Sequence, residues 1–437
     1  MEKNCILIWL RRDLRLQDNA AINQALQTNM KLLFYFNFDT EILDQLEDRK
    51  DARINYIHSK LQKINLELSK IGSRLLVKYG SALHCISEVL KEYPIANIYA
   101  NEDYEPFAIA RDQACKDLCE SQQVGFQLYK DQVIFKKKEI LKKDGTPYTV
   151  YTPYMKKWRS VFNPKEHLPY SYELDASNTV QMKFNKIPSL ADIGFSASYI
   201  DIPAINLSMD MLSNYDDRRN FPALKATSNL GIHLRFGTIS IRQAVREALK
   251  GDDQFLFQLI WREFFMQILV NFPRVEQECF KPSYNQIQWV NNEEEFELWT
   301  NGMTGFPIVD AGMRELKATG NLHNRVRMIV ASFLVKDLLI DWRWGEAWFA
   351  NYLLDYDQAA NNGNWQWVAG CGCDAAPYFR VFNPSEQQKK FDPDFAYIKK
   401  WIPDLGTDSY PKPMIDHKFA RNRALESYKS ALQRQGV

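Results

Sequence analysis

The sequence predicts an α/β domain of the doubly wound parallel-sheet type followed by an all-α C-terminal domain. Three observations carry this. Short, continuous apolar runs alternate with amphipathic stretches over residues 1–130. The pattern loosens over 131–205, where Lys, Pro, Gly and aromatics mix without a sustained period. From 206 to about 425 helical spacing dominates.

Residues 4–10 (NCILIWL) are an unbroken apolar run, as expected of a parallel strand buried on both faces. Charged RRDLRLQDNAA leads into a helical stretch, and KLLFYFNFD (31–39) is the next strand. Over 53–70, Ile54, Ile57, Leu61, Ile64 and Leu68 recur at helical spacing. RLLVKYG (74–80) is a strand ended by glycine, and SALHCISEVLKEY a helix with Ser81 as its candidate cap. ANIYANEDY is a further strand. Strands alternating with helices imply βαβ units with right-handed crossovers. No GxGxxG opens a helix, so a dinucleotide site of that kind is not supported. The 131–205 connection holds an Asp144-Gly145 turn and a Lys run (Lys136, Lys137, Lys138, Lys142, Lys143) that reads as solvated. The helical part contains QFLFQLIWREFFMQILVNF and VRMIVASFLVKDLLIDW, and ends in a short polar tail, RQGV, with no long C-terminal extension.

Composition sets bounds. The 437 residues are enough for two or three domains. A net charge of +1 means any basic surface is local and balanced elsewhere. No apolar run approaches a membrane span, and the N-terminal run is closed at once by charges, unlike a signal peptide. Seven cysteines at scattered spacing point to a reducing, cytoplasmic compartment. Cys371 and Cys373 lack a second ligand pair, so no metal is expected.

The densest chemistry lies in residues 338–384. It holds five of the eleven tryptophans (Trp342, Trp344, Trp348, Trp365, Trp367), two acids (Asp355, Asp357), and a polar turn, Asn361-Asn362-Gly363-Asn364. An aromatic helical core would account for the tryptophans alone. Acids, amides and paired indoles in one turn-rich segment point to the lining of a pocket for a flat polar cofactor. Upstream, Tyr215 precedes Thr227-Ser228-Asn229-Leu230-Gly231, hydroxyls and successive backbone N–H groups ahead of a helix, which suit a diphosphate.

These blocks, in order and spacing from near the N-terminus to about His417, resemble the photolyase/cryptochrome family, most closely its bacterial class I branch acting on cyclobutane pyrimidine dimers. Trp9, Arg11, Arg12, Asp13, Leu14, Arg15, Asp18 and Asn19 are similar to the family's opening signature; taken alone they read as a solvated loop. The resemblance implies a light-harvesting domain at 1–130, a connection at 131–205 and an FAD- and DNA-binding helical domain at 206–425. A second chromophore is part of the family's pattern. The folate-contacting Asn-Glu pair of one branch falls here on Phe107 and Ala108, which disfavours folate and leaves a deazaflavin, a flavin or none.

The resemblance places FAD against Tyr215, Thr227, Ser228, Asn229, Leu230, Gly231, Phe255, Arg262, Arg327, Asp355, Tyr356, Asp357 and Asn361. Gly231 stands where Ser is common, and Phe255 where Trp is commoner. Arg327 is expected to form a bidentate pair with Asp355, and Arg262 to be the second buried cation of this region. Asn361 matches the residue facing flavin N5, where an amide favours repair over signalling. Trp365, Trp342 and Trp289 match the family's electron relay. Gln258, Trp261, Asn324, Met328 and Trp367 match the pocket for a flipped-out lesion, and Arg219, Gln258, Asn324, Arg325 and Gln387 the DNA contacts. Gln258 replaces the Glu of the dimer-repair branch. This keeps a (6-4) photolyase or a blue-light receptor as alternatives, although the (6-4) branch has His where this chain has Asn324 and Met328. The expected partner is UV-damaged DNA, with the protein a monomer.

Overall fold

The computed structural model describes residues 4–183 and 185–433; the expected RQGV tail lies outside the described residues. Two compact units are present, each assembled from separate chain segments. One comprises residues 1–140, 158–205 and 229–249, the other 141–157, 206–228 and 250–437. The sequence suggests contiguous domains instead. The difference arises because 229–249 joins the first unit and 141–157 the second.

The first unit carries a five-stranded, all-parallel sheet in the order β3-β2-β1-β4-β5: β1 (Cys5–Leu10), β2 (Lys31–Asp39), β3 (Leu75–Gly80), β4 (Ile95–Asn101) and β5 (Gly125–Tyr129). Every residue of β1 is buried, as its unbroken apolar run requires. The helices are α1 (Ala20–Ala25), α2 (Ala52–Ser69), α3 (Ala82–Glu92) and α4 (Pro106–Ser121). Ser81 stands at the N-cap of α3, but its side chain makes no capping hydrogen bond.

The opening signature is not a solvated loop. Asp13, Arg15, Asp18 and Asn19 are all buried. Asn19 caps α1 by accepting from Ile22 N–H, and its amide donates to Asp13. Arg15 donates to Asp131 at 2.5 Å, and Arg242 donates to Asp131 and Asp18, each at 2.7 Å. The charges are buried because they are paired, which the local sequence cannot reveal.

The second unit is helical. The connecting stretch supplies α5 (Tyr151–Val161), a helix that the sequence reading takes for irregular chain and that straddles the division between the units. In the first unit follow α6 (Leu230–Arg235) and α7 (Ile241–Ala248), which carries Arg242. The second unit then runs through α8 (Asp253–Asn271), α9 (Pro307–Thr319), α10 (Asn324–Ser332), α11 (Trp342–Tyr352), α12 (Gln358–Ala369) and α13 (His417–Gln433). Its core draws on α9 to α13 and the segments between them, and includes Trp299, Phe333, Trp342, Trp365 and Tyr428. Two glycines let these helices close. A Cβ on Gly345 of α11 would stand 2.1 Å from Trp365 Cη2, and one on Gly363 of α12 would stand 2.2 Å from Phe265 Cδ1. No helix among the described residues is long and apolar enough to cross a membrane.

Candidate functional site

Within the helical unit, side-chain contacts join the segments singled out above. Tyr215 packs edge-on against Phe255 of α8, with ring centroids 5.1 Å apart. Burial raises the Tyr215 hydroxyl above its usual range, with Arg219 opposing. Arg219 lies over the same ring at 5.8 Å. Arg325 of α10 donates to Asn220 at 2.7 Å, tying that helix to the segment after Tyr215.

Arg327 and Asp355 pair, but not as a fork. Nη2 alone donates to both carboxylate oxygens, at 3.0 and 2.9 Å, because Nε is held by Leu322 O at 2.8 Å. Both side chains are only partly buried, at 25% and 23% exposure, which leaves an edge open to a ligand. The expectation for Arg262 also needs correction. It is half-buried; the buried charge of the WREF run is Glu263, which accepts from Tyr154 Oη at 2.8 Å. Residues 263–269 are buried on every face of α8, whereas Trp261 and Arg262, just before them, are half-buried.

At the start of α12, Asp357 is buried and caps the helix, accepting from Ala360 N–H at 3.1 Å. Asn361, one turn on, donates through Nδ2 to Glu346 O and Oε1, at 3.1 and 2.8 Å. Burial raises the Glu346 carboxyl and the Asn361 hydrogen bond lowers it. Glu346 therefore fixes which way the amide points, a role the sequence reading missed. Tyr356 is half-buried, between the two acids.

Thr227 and Ser228 belong to this unit and are half-buried; Ser228 O accepts from Asn206 N–H at 2.9 Å. Asn229, Leu230 and Gly231 belong to the sheet-bearing unit. Asn229 adopts φ +54° at the N-cap of α6 and turns its amide to Ala204 O, so it does not cap the helix. Leu230 is buried and contributes only backbone to a site; Gly231 is exposed.

The proposed relay residues share one core. Trp365 and Trp342 are buried, and Trp289 is half-buried, edge-on to Tyr428 at 6.0 Å. The ring neighbours of Trp365 are Phe349 at 5.0 Å and Trp299 at 6.4 Å. Trp299, outside the expected set, donates its N–H to Val330 O.

Trp261 and Trp367 are both half-buried, as a stacking surface requires. Gln258 turns its amide back to Gln254 O at 3.3 Å. Asn324 is exposed, with Nδ2 4.0 Å from Met328 Sδ. Gln387 starts the second turn of the helix that follows Asn383, and its Oε1 is buried without a partner. Arg380, which the sequence reading did not single out, lies over Trp367 at 5.8 Å. Burial lowers the Arg325 guanidinium, and repulsion from Arg219 and Arg380 lowers it further. The sequence signal for Arg380 is its place between Phe379 and Phe382.

An aromatic wall, an Arg–carboxylate edge and an oriented amide fit a flavin dinucleotide, a flat polar ring system on a charged tail. Residues 255–407 match the family model described as the FAD binding domain of DNA photolyase, and 6–172 match the model described as DNA photolyase. A deoxyribodipyrimidine photo-lyase of Synechococcus is 37% identical over 96% of this chain and 95% of its own length. The structure of a bacterial class III photolyase from Agrobacterium tumefaciens superposes with a TM-score of 0.86 at 32% identity, covering 99% of this chain and 98% of that one. An archaeal photolyase from Sulfolobus tokodaii, described with two FAD molecules, gives 0.83 at 34% identity over 97% and 99%. These likenesses establish the family without singling out its class I branch. With both halves matched by its models and relatives alike along nearly their whole length, the chain belongs to the DNA photolyase family.

Proposed function

We propose that this protein is a light-driven DNA repair flavoenzyme that splits cyclobutane pyrimidine dimers. The observation that carries the reading is the Arg380 guanidinium over the half-buried indole of Trp367, with Arg325 tied to Asn220 beside Arg219. Positive charge tracks a DNA backbone without reading sequence, and an indole face takes an unstacked base. Reduced FAD, when bound, supplies the photoexcited electron and takes it back after the ring opens. Arg327, Asp355, Asp357 and Asn361 hold the isoalloxazine and ribose, with Glu346 orienting the Asn361 amide. Tyr215, Phe255, Tyr356 and Arg262 form the walls, and Thr227 and Ser228 meet the diphosphate. Trp365, Trp342 and Trp289 pass electrons inward to restore the reduced state.

Trp261, Trp367, Asn324 and Met328 receive the flipped lesion. Gln258 can hydrogen-bond a pyrimidine but cannot donate a proton as Glu could. This residue favours a second reading, a (6-4) photolyase or a receptor that binds FAD without repair. Phe107 and Ala108 offer neither amide nor carboxylate to a folate, so the antenna is a deazaflavin, a flavin or absent.

Asp355→Asn is expected to lower the FAD retained through purification, measured by the 450 nm absorbance per protein, because Arg327 loses its charged partner. Wild-type retention would remove Asp355 from the site. The function itself is tested with photoreduced protein and two oligonucleotides, one carrying a cyclobutane thymine dimer and one a (6-4) product, each with and without blue light. Light-dependent restoration of the first supports the reading. Restoration of only the second assigns the (6-4) reaction, and photoreduction with repair of neither assigns a receptor. Trp261→Ala is expected to weaken binding of dimer-containing DNA by about 1–3 kcal/mol, the value of one base stack, and Asn324→Ala by about 0.5–1.5 kcal/mol, the value of one hydrogen bond. Binding to intact DNA should change less, and equal losses on both would count against the flipped-lesion pocket.

A further inference from the structure

The Trp261 indole does not stand alone. Tyr151, the first residue of α5, lies flat against it, with ring centroids 3.7 Å apart and planes within 8°. Tyr151 is buried and held at both ends. Its hydroxyl donates to Phe257 O at 2.9 Å, one turn before Trp261 on α8. Its backbone N–H donates to Asp374 Oδ2 at 2.9 Å, and Asp374 lies in the loop that leads to Arg380. A second tyrosine, Tyr154, follows at helical spacing and grips the same stretch of α8: its hydroxyl meets Glu263 and its ring packs on Phe264 at 5.3 Å. Phe264 stands edge-on to Trp261 at 5.6 Å, and Phe265 lies tilted to it at 5.4 Å.

The indole is thus fixed from several sides, and one of its two faces is already occupied. Burial raises the Tyr151 hydroxyl far above neutrality, and it is committed to a backbone carbonyl, so it moves no proton. What the tyrosine supplies is a flat backing. A free indole on a helix surface would have to lose rotamer freedom when a base stacks on it, and that loss subtracts from affinity. An indole already sandwiched against Tyr151 has lost it in advance.

We propose that Tyr151 is a positioning residue for lesion recognition: it holds Trp261 with a single open face, ready for the flipped pyrimidine dimer. This rests on the reading of Trp261 as a lesion contact. The amide tether to Asp374 ties the stack to the loop bearing Arg380. The selectivity for damaged over intact DNA therefore depends on a residue that need not touch the DNA.

The test uses the full-length holoprotein and two duplexes, one with a single cyclobutane thymine dimer and one undamaged. Dissociation constants are measured in the dark for wild type, Tyr151→Leu, Tyr151→Phe, Trp261→Ala and the Tyr151→Leu/Trp261→Ala double variant. Leucine keeps an apolar filler but removes the flat face. Tyr151→Leu is expected to weaken dimer binding about two- to tenfold, the range of one aromatic pair. Binding to undamaged DNA and the light-driven rate at saturating dimer should be unchanged. Tyr151→Phe, which keeps the stack, should restore most of the loss. In the double variant the effect of Tyr151→Leu should vanish, because its route through Trp261 is gone.

Equal weakening on both duplexes, or a Tyr151→Leu loss that persists in full without Trp261, overturns the proposal. Wild-type dimer binding by Trp261→Ala shows instead that the lesion pocket itself is misassigned, and the proposal falls with it. Should Tyr151→Leu not fold, Asp374→Asn replaces it. It weakens the acceptor of the Tyr151 N–H, and a smaller loss confined to dimer DNA is expected; no loss, or a loss shared by both duplexes, counts against the proposal.

Discussion

Gly345→Ala is expected to disrupt the helical unit more than any other single-methyl change at the site. The new Cβ would stand 2.1 Å from Trp365 Cη2 and 2.6 Å from Leu334 Cδ2, distances no side chain tolerates. Trp365 and Leu334 are both buried, so neither can swing into solvent. Overpacking of this kind costs about 1–3 kcal/mol. A functional cost should accompany it, since Trp365 is the proposed inner member of the electron relay. A displaced ring is expected to slow photoreduction several-fold, because electron tunnelling falls steeply as the gap between donor and acceptor widens. Flavin reduction under blue light with an external thiol measures this directly. A variant that loses stability but photoreduces at the wild-type rate would remove Trp365 from the relay.

In the sheet-bearing unit, Arg242→Met is expected to destabilise by about 3–5 kcal/mol, the cost of breaking a buried ion network by removing one partner. Arg242 is almost fully buried and donates to Asp18 Oδ1, Asp18 O and Asp131 Oδ1. Methionine fills part of the volume but leaves those oxygens short of a donor. The same network gives the wild type an acid dependence. Burial pushes the Asp131 carboxyl up, but Arg15 and Arg242 outweigh it and hold the group at about 2. A carboxylate held below its unfolded value of 3.8 contributes stability that is complete above that pH and disappears as pH falls towards 2. The contribution at neutral pH is about 2–3 kcal/mol. Unfolding midpoints in urea between pH 2 and 5 should therefore fall less steeply in Arg242→Met than in wild type. Parallel slopes would show that Asp131 is not held by Arg242.

The strands β1 to β4 were legible because burial on both faces leaves unbroken apolar runs such as CILIWL and LLFYFNF. β5 was not, because GFQLY is an edge strand with no fully buried residue. Helix α5 was hidden by Pro153 and by lysines. Its signal was the spacing of Tyr151, Tyr154 and Trp158, all buried on one face. The candidate flavin-site residues were named from the resemblance, yet their partners could not be. Glu346 looks like any acid in an aromatic helix until Asn361 is seen to donate to it. The single-nitrogen contact of Arg327 depends on Leu322 O, a backbone atom with no sequence signature. Arg380 and Tyr151 were missed because their roles come from rings distant in the chain.

The Asp131 network also bears on how the protein is made. Its last member, Arg242, leaves the ribosome about 110 residues after Asp131, which at cellular synthesis rates is a delay of roughly 5–20 s. During that interval Asp131 has Arg15 and the Ala20 N–H as donors but lacks Arg242. The sheet-bearing unit therefore matures after a stretch of the other unit has already emerged, and a truncated chain ending near residue 205 should be a poor substitute for it.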